Sequence, residues 1–289
     1  MDSHSQADAD VLVIGAGVAG LSCAAALSGC GLRVTVLEAL DHLGGRAASW
    51  IDEITGDTVD IGPHVVSSEH RNFMALLERL GTADLIRWQP DPLITLLDAR
   101  RQLRMHAPAW PPPLHGLPNL RNALRCLGPG DLLSNLRVAW RAARLDAAGT
   151  QALDGEDGHS FLRRQGVSPR AIDWFWRSSM LAVLNVPLEA CSAAAMMRVF
   201  RLMLGRSGYC FGFPKVGLSQ LFAPGCRRAV EAAGGEVATG AAVHAISGMA
   251  EGRFKGVVLA DGRTLRAGAC VLAVPPEALA ALGMPAVKL

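Results

Sequence analysis

The feature that most constrains this chain is a glycine-rich turn between two short apolar segments near its amino terminus. Val11–Ile14 is an apolar run, typical of a strand buried on both faces. The motif G-x-G-x-x-G follows directly with Gly15, Gly17 and Gly20, and a helix of small apolar residues continues from it. Arg33–Leu37 then predicts a second, parallel strand. A strand, a glycine turn, a helix and a strand in this order predict an α/β domain.

Each residue of this turn has a physical reason to be there if the turn binds a dinucleotide. Gly15, followed by Ala16, permits a tight turn out of the strand, and Gly20 lets the helix pack closely on that strand. The missing side chain at Gly17 leaves room for a pyrophosphate at the helix amino terminus, where free N–H groups favour an anion. Glu38 ends the second strand and can accept hydrogen bonds from an adenosine ribose. The combination predicts a dinucleotide site.

Two other interpretations of this region remain open from the sequence. No charged residue occurs between Val11 and Leu32, a length that is sufficient for a membrane span. Several glycines, a strand-like start and the acid at Glu38 argue against a span. The second alternative is a domain of the same fold that has lost its ligand.

Composition narrows the class of protein. Half of the 289 residues are hydrophobic and 19% are charged, so the chain can bury a sizeable core in one large domain or two. The net charge of +2 is too small to indicate a nucleic-acid partner. Met1–Asp10 is polar and acidic, so we expect no signal peptide and a cytoplasmic location. Seven cysteines without a C-x-x-C pair favour reduced thiols, and the eight histidines lack metal-ligand spacing.

Two further motifs follow the second strand. Gly44 and Gly45 free the backbone in a second turn, and Arg46 behind them can reach a phosphate. An ordinary turn with a surface arginine is the alternative. The third motif, D-x-G-x-H, begins at Asp60 and ends at His64.

The order and spacing of the three motifs resemble the superfamily of FAD-dependent amine oxidases and carotenoid desaturases. The resemblance implies FAD as cofactor, with the ribose at Glu38 and the pyrophosphate along Gly44–Arg46. It places Gly62 and His64 beside the flavin and makes His64 the catalytic candidate, with a structural histidine as the alternative. Val243 would meet the adenine through its backbone, and a plain buried strand residue is the alternative there.

Two segments in the middle of the chain resemble one family within this superfamily. Leu184–Ala193 and Pro113–Leu117 are similar to hydroxysqualene dehydroxylases, also called squalene-associated FAD-dependent desaturases. The resemblance implies a long isoprenoid substrate, from which the flavin removes a hydroxyl group by delivering a hydride. The alternatives are a carotenoid desaturase of the phytoene or ζ-carotene type, an amine oxidase-like flavoenzyme, and a non-catalytic prenyl-binding protein. A single tyrosine, Tyr209, disfavours the tyrosine-rich cage of amine oxidases.

The superfamily resemblance implies an FAD-binding domain built from both ends of the chain, residues 8–67 and 208–289. A largely helical substrate-binding region, residues 68–207, is inserted between them. Related chains continue past the segment that matches Val274–Pro276, and their final segment covers the flavin, so we expect that a final segment is absent after Leu289. The elements predicted near the carboxyl end are a helix over Gly217–Ala233 and strands at Glu236–Thr239, Val243–Ile246, Lys255–Ala260, Arg263–Arg266 and Ala269–Val274.

The inserted region also contains a candidate membrane surface. Its predicted elements are a hairpin over Leu93–Met105 and helices near Leu117–Leu127 and Leu132–Ala143, with Asp131 as the cap of the second helix. A third helix is predicted to start at Ser168-Pro169 and to include Ala171–Leu184. One face of the second helix carries Arg137, Arg141 and Arg144, and another carries Leu133, Leu136 and Trp140. Basic and apolar faces with tryptophan predict an interfacial helix, and hence a peripheral position on a membrane. A solvated helix face is the alternative, and the oligomeric state stays open.

Overall fold

The computed structural model describes residues 7–62, 64–97, 101–248 and 254–284 of the chain. The polar start at Met1–Asp10 and the turn of the predicted hairpin, at 98–100, fall largely outside these ranges. The strands are β1 (Ala9–Ile14), β2 (Val34–Leu37), β3 (Ser49–Ile51), β4 (Thr58–Asp60), β5 (Val66–Ser67), β6 (Ile86–Trp88), β7 (Ile94–Leu97), β8 (Gln102–Met105), β9 (Phe211–Pro214), β10 (Glu236–Ala238), β11 (Val243–Ser247), β12 (Gly256–Leu259) and β13 (Thr264–Leu272). The helices are α1 (Val18–Ser28), α2 (Arg71–Leu80), α3 (Leu117–Leu127), α4 (Pro129–Ser134), α5 (Leu136–Arg144), α6 (Ala147–Gln151), α7 (Gly158–Arg164), α8 (Pro169–Ala171), α9 (Arg177–Leu184), α10 (Ala193–Gly205), α11 (Ala223–Ala232) and α12 (Pro276–Ala281).

A six-stranded sheet in the order β10-β2-β1-β13-β12-β11 organises the part of the chain that contains the glycine motifs. β1 lies between β2 and β13 and runs parallel to both, with Val11 opposite Val34 on one side and Ala269 on the other. β10 extends the parallel part, and β12 and β11 continue the sheet in antiparallel fashion. The predicted α/β class with a parallel sheet is therefore confirmed.

The central strands are buried on both faces, as their apolar sequences dictate. Leu12 and Val13 point to opposite faces of β1, and both are fully buried. On one face the cover is α1, whose Leu21 and Ala24 are also fully buried. The uncharged segment Val11–Leu32 is thus a strand, an 11-residue helix and a turn. Within the described residues, no helix has the length and apolar character needed to cross a membrane.

The chain divides into two compact units, and their boundary differs from the predicted one. The units are residues 1–87 with 212–289, and residues 88–211. Residues 68–87 were predicted to be part of the inserted region, whereas they belong to the first unit. Phe73 of α2 packs edge-on against Phe222, with ring centroids 6.4 Å apart. The Thr82 hydroxyl donates to the Leu221 carbonyl oxygen over 2.7 Å, which ties the end of this segment to the same unit.

The second unit is helical apart from the hairpin β7–β8. One predicted helix of this unit is divided into two helices in the structure. The helix expected at Leu132–Ala143 is α4 followed by α5, with Asn135 between them. The Asn135 side chain donates to the Asp131 carbonyl oxygen and accepts from Trp176 Nε1, each over 2.7 Å. Asp131 was predicted to cap the second helix. Instead it lies in the first turn of α4, where its carboxylate accepts from the Ser168 hydroxyl.

The structure corrects two predictions near the carboxyl end of the chain, one for a helix and one for a pair of strands. The helix predicted over Gly217–Ala233 is a 3₁₀ helix, Leu218–Leu221, followed by α11, which begins with Pro224 in its first turn. The strands predicted at Arg263–Arg266 and Ala269–Val274 form one strand of nine residues, β13. This strand is long because its first part pairs with β12 and its second part pairs with β1.

Candidate dinucleotide site

The first glycine turn joins β1 to α1 at the carboxyl end of the parallel strands. Gly15 has a φ of +99°, and its N–H donates to the Leu37 carbonyl oxygen over 2.8 Å. A Cβ at Gly15 would lie 2.6 Å from the Ala273 carbonyl oxygen, so both the backbone angle and the space require glycine. At Gly17, which caps α1, a Cβ would meet no atom closer than 4.0 Å. The helix amino terminus therefore faces open space, an arrangement that favours an anion.

Gly20 lies behind this turn and sets the distance between α1 and β1. A Cβ at Gly20 would lie 1.9 Å from the Gly15 carbonyl oxygen and 3.2 Å from Ala273 Cβ. No side chain fits into this space. Gly20 thus shapes the site through packing, because it allows the helix to start against the turn.

Glu38 connects the end of β2 to the first glycine turn. This residue is 8% exposed, and both of its carboxylate oxygens accept backbone hydrogen bonds. Oε2 accepts from the Ala16 N–H over 2.7 Å, and Oε1 accepts from the Leu40 N–H over 3.0 Å. Each carboxylate oxygen has two lone pairs, so two acceptor positions remain. That capacity matches the two neighbouring hydroxyl groups of a ribose.

The second glycine turn lies directly against the first. The Gly44 N–H donates to the Ala16 carbonyl oxygen over 2.9 Å, and Gly17 and Gly44 form a β-bridge. A Cβ at Gly45 would lie 3.2 Å from Gly17 Cα. The Arg46 side chain is exposed and has no ion-pair partner among the described residues. Its guanidinium is therefore available to an anionic ligand.

Val243 lies on β11, the edge strand of the sheet, opposite Leu259. The Ala260 N–H donates to the Ala242 carbonyl oxygen, whereas the Leu259 N–H points the other way and donates to Arg263. This pattern makes Val243 and Leu259 a non-hydrogen-bonded pair. The N–H and C=O of Val243 therefore point across the free edge of the sheet, where they can meet the donors and acceptors of a planar base.

These elements line a cavity of about 1040 Å³. This volume is at the upper end of the range of roughly 300–1,000 Å³ found for small-molecule sites, so it suits a dinucleotide. The predicted site residues that line it are Gly15, Gly17, Glu38, Gly44, Gly45, Arg46 and Val243. Ala16 and Gly20 support the lining from behind.

The structure does not bring Gly62 and His64 to the lining of this cavity. A Cβ at Gly62 would meet nothing within 4 Å, and Pro63 lies outside the described residues. His64 is half-buried, and its Nδ1 is buried without a hydrogen-bond partner in the described part of the chain. The catalytic role of His64 stays a prediction that the cavity geometry does not support.

One wall of the cavity was not predicted from the sequence. The lining includes Ala273–Pro276 and residues of α12. The Ala273 N–H donates to the Ile14 carbonyl oxygen over 2.8 Å, which holds this segment beside the first glycine turn. The available signal was the apolar strand before Pro275. Parallel strands end at the same edge of a sheet, and ligands bind in the crevice outside that edge.

The described lining is suited to binding rather than to nucleophilic catalysis. Its titratable side chains are Glu38, Arg46 and His244, and it includes no serine, cysteine or lysine. Burial raises the pKa of the Cys226 and Cys270 thiols to about 11, so both stay protonated at neutral pH. The acceptors of Glu38, the positive charge of Arg46 and the free N–H groups at the start of α1 match a ligand with hydroxyl groups and phosphates.

Comparison with known proteins places the chain in a family. The model of the family described as "Flavin containing amine oxidoreductase" matches residues 18–288. The chain belongs to this family. The chain is also similar to 15-cis-phytoene desaturase from Capsicum annuum, which is 27% identical over 279 residues that cover 93% of this chain and 47% of that protein. The chain therefore spans about half the length of the relatives that it matches.

Solved structures of oxidoreductases share the fold. An oxidoreductase from Methanosarcina mazei superposes with a TM-score of 0.66 at 19% identity, covering 94% of this chain and 60% of that one. Cyclohexylamine oxidase from Brevibacterium oxydans superposes with a TM-score of 0.61 at 25% identity, covering 95% and 60%. The predicted superfamily and its FAD cofactor are confirmed at the level of the family.

The residues present fit the adenosine diphosphate part of FAD. The open space at Gly17 leaves room for the pyrophosphate beside free helix N–H groups, and Arg46 supplies a positive charge. Two acceptor positions at Glu38 suit the ribose. The outward backbone groups of Val243 suit the adenine.

Proposed function

We propose that the protein containing this chain is an FAD-dependent oxidoreductase that removes the hydroxyl group of hydroxysqualene reductively to give squalene. The assignment as an FAD-dependent oxidoreductase rests on the glycine-lined cavity with Glu38, in a chain that belongs to a flavin-containing family. The isoprenoid part rests on the resemblance of Leu184–Ala193 and Pro113–Leu117 to hydroxysqualene dehydroxylases. Both segments lie in the second unit, where Leu188 and His115 are buried.

In this proposal the described residues bind and orient the cofactor. The α1 amino terminus at Gly17 and the Arg46 guanidinium hold the pyrophosphate, Glu38 accepts from the ribose, and the Val243 backbone meets the adenine. The bound flavin supplies hydride transfer. The protein holds the cofactor in a fixed position through two backbone turns and one buried carboxylate.

Carotenoid desaturation is the second candidate, and the similarity to 15-cis-phytoene desaturases favours it. That reaction transfers a hydride in the opposite direction, from the substrate, and requires an electron acceptor. An amine oxidase-like activity and a non-catalytic prenyl-binding function are the remaining alternatives. The retained glycine turns and Glu38 favour flavin binding over the last of these.

The test uses the full-length protein that contains residues 1–289. We expect one flavin per chain in the absorption spectrum, and conversion of hydroxysqualene to squalene in the absence of oxygen with a chemical reductant. Phytoene with a quinone acceptor and a primary amine with oxygen are assayed in parallel. Turnover of phytoene alone would identify a desaturase, turnover of the amine alone would identify an oxidase, and a protein without flavin would overturn the redox proposal.

We further propose that the second unit contacts a membrane, from which a long hydrocarbon would enter. α5 has three sides. Val138 and Ala142 form the first side and are fully buried. Leu136 and Trp140 form the second side and are about 60% exposed. The third side, which lies between the other two, consists of Arg137, Arg141 and Arg144. The arginines were predicted to lie on a face separate from Trp140, but the Arg144 guanidinium stacks on the Trp140 ring, with its central carbon 3.9 Å from the ring centroid. Exposed apolar residues flanked by arginines match a lipid interface.

The charge distribution supports an anionic lipid surface. Residues 99–145 contain eight arginines and one acid, Asp131. α3 repeats the pattern of α5, because Leu117, Leu120 and Leu124 are exposed and arginines flank them. A basic residue near an anionic bilayer contributes on the order of 1 kcal/mol to binding.

Charge reversal of α5 is therefore expected to weaken binding to anionic liposomes. The variant Arg137→Glu, Arg141→Glu, Arg144→Glu should bind at least about 100-fold more weakly, since each contact contributes about 1 kcal/mol. The control variant Arg79→Glu, Arg87→Glu, Arg228→Glu changes the same charge at three exposed arginines of the first unit. Co-sedimentation with phosphatidylglycerol and phosphatidylcholine vesicles measures both. Equal binding of the α5 variant and the parent would contradict the proposal.

A further inference from the structure

Asp60 opens the D-x-G-x-H motif, yet the cofactor site described above gives it no role. It lies on β4, directly opposite Ser49 on β3. Asp60 Oδ1 accepts from the Ser49 hydroxyl over 2.6 Å and from the Leu218 N–H over 2.8 Å. The Ser49 Oγ in turn accepts from the Ser219 N–H over 3.0 Å. One carboxylate thus joins the β3–β4 hairpin to the first turn of a 3₁₀ helix that lies 158 residues further along the chain.

That 3₁₀ helix packs on the second glycine turn. A Cβ at Gly44 would lie 3.0 Å from Ser219 Cβ, so the two backbones are close. The Gly44 N–H also donates to the Ala16 carbonyl oxygen in the first glycine turn. Contacts therefore run without a gap from Asp60 through Ser49 and Ser219 to the turn that lines the cavity. All of these residues belong to the first unit.

We propose that Asp60 is a positioning residue that holds the second glycine turn where it lines the cofactor cavity. Its effect on FAD rests on the proposed cofactor site, whereas the hydrogen-bonded clamp consists of protein atoms alone. Without the carboxylate, the Leu218 N–H and the Ser49 hydroxyl lose their acceptor. Ser49 is then free to rotate away from Ser219, and the 3₁₀ helix no longer supports the second glycine turn, which contains Gly44 and Arg46.

Four variants of the full-length protein test the clamp. Asp60→Ala removes it, whereas Asp60→Asn keeps an oxygen that accepts the same two hydrogen bonds. Ser49→Ala removes the hydroxyl that links Asp60 to Ser219 but keeps the hydrogen bond from the Leu218 N–H to Asp60. It replaces Asp60→Ala if that variant does not fold. Asp57→Ala is the matched control, since it removes an exposed carboxylate from the same hairpin. Hydrogen exchange of the Gly44 and Ser219 amides should rise about tenfold in Asp60→Ala and in Ser49→Ala, and stay unchanged in the control.

Titration with FAD gives the second measurement. We expect Asp60→Ala to weaken FAD about tenfold, and Asp60→Asn to restore most of the affinity. Unchanged exchange at Gly44 in both Asp60→Ala and Ser49→Ala would overturn the clamp. Faster exchange with unchanged FAD affinity would overturn the positioning role. A parent protein that binds no FAD would overturn the proposed function, and the exchange measurement would still decide whether the clamp exists.

Discussion

An alanine at position 20 is expected to lower the free energy of unfolding by about 3 kcal/mol and to prevent retention of FAD. The new Cβ would lie 1.9 Å from the Gly15 carbonyl oxygen, far inside any real contact. Because that oxygen belongs to the backbone, no change of rotamer relieves the clash, and α1 has to move away from β1. The movement also displaces the helix N–H groups that face the cavity.

The control for this prediction is Gly130→Ala. Gly130 also lies in a helix, α4, but a Cβ there would meet nothing within 4 Å. Alanine should leave the stability unchanged or raise it by up to about 1 kcal/mol, as in an exposed helix. Chemical denaturation and the flavin content per chain compare the two variants. If Gly20→Ala were as stable as Gly130→Ala, the packing of α1 on β1 would not depend on glycine.

Replacing Glu38 by alanine is expected to weaken FAD binding by about 2–3 kcal/mol, or roughly 30- to 150-fold. The carboxylate is predicted to accept from the ribose, and it also accepts from Ala16 and Leu40 in the structure. Its loss therefore removes a contact to the ligand and leaves two backbone N–H groups without their acceptor. We expect the stability of the protein without FAD to fall as well.

Glu38→Gln separates these effects. The glutamine carbonyl oxygen still accepts, but its NH₂ group only donates, so one of the two backbone N–H groups faces a donor, although the size of the side chain is kept. Glu236→Ala is the control, because this exposed glutamate lies on β10, the strand next to β2. Calorimetric titration with FAD and thermal denaturation of the FAD-free proteins measure both effects. An unchanged FAD affinity in Glu38→Ala would remove Glu38 from the ribose site.

The local part of the site could be predicted from the sequence because its signals are contiguous. The strand, the turn at Gly15 and Gly17, and the helix follow one another within 20 residues, and each has its own pattern. The space available at Gly20 agrees with the reason for glycine there. The ribose position at Glu38 could be predicted from its distance along the chain, but its hydrogen bond to Ala16 could not, since nothing in the pattern indicates that contact.

Interactions between distant residues explain most of what the sequence did not predict. The break between α4 and α5 depends on Asn135 and Trp176, which are 41 residues apart. The role of Asp60 depends on its contact with Leu218, 158 residues further along the chain, and on the contact between Ser49 and Ser219. Likewise, the wall at Ala273–Pro276 enters the site only because β13 pairs with β1. Periodicity describes one element at a time, so it does not give such pairings.

The position of β1 between β2 and β13 has a consequence for synthesis on the ribosome. One neighbour of β1 follows within a few dozen residues, but the other is translated about 260 residues later. At roughly 5–20 residues per second, the nascent β1 has an unpaired, apolar edge for about 10–50 seconds. The second unit is continuous in sequence and can complete its core during that interval. Protection of this edge by a chaperone would therefore matter most before β13 leaves the exit tunnel.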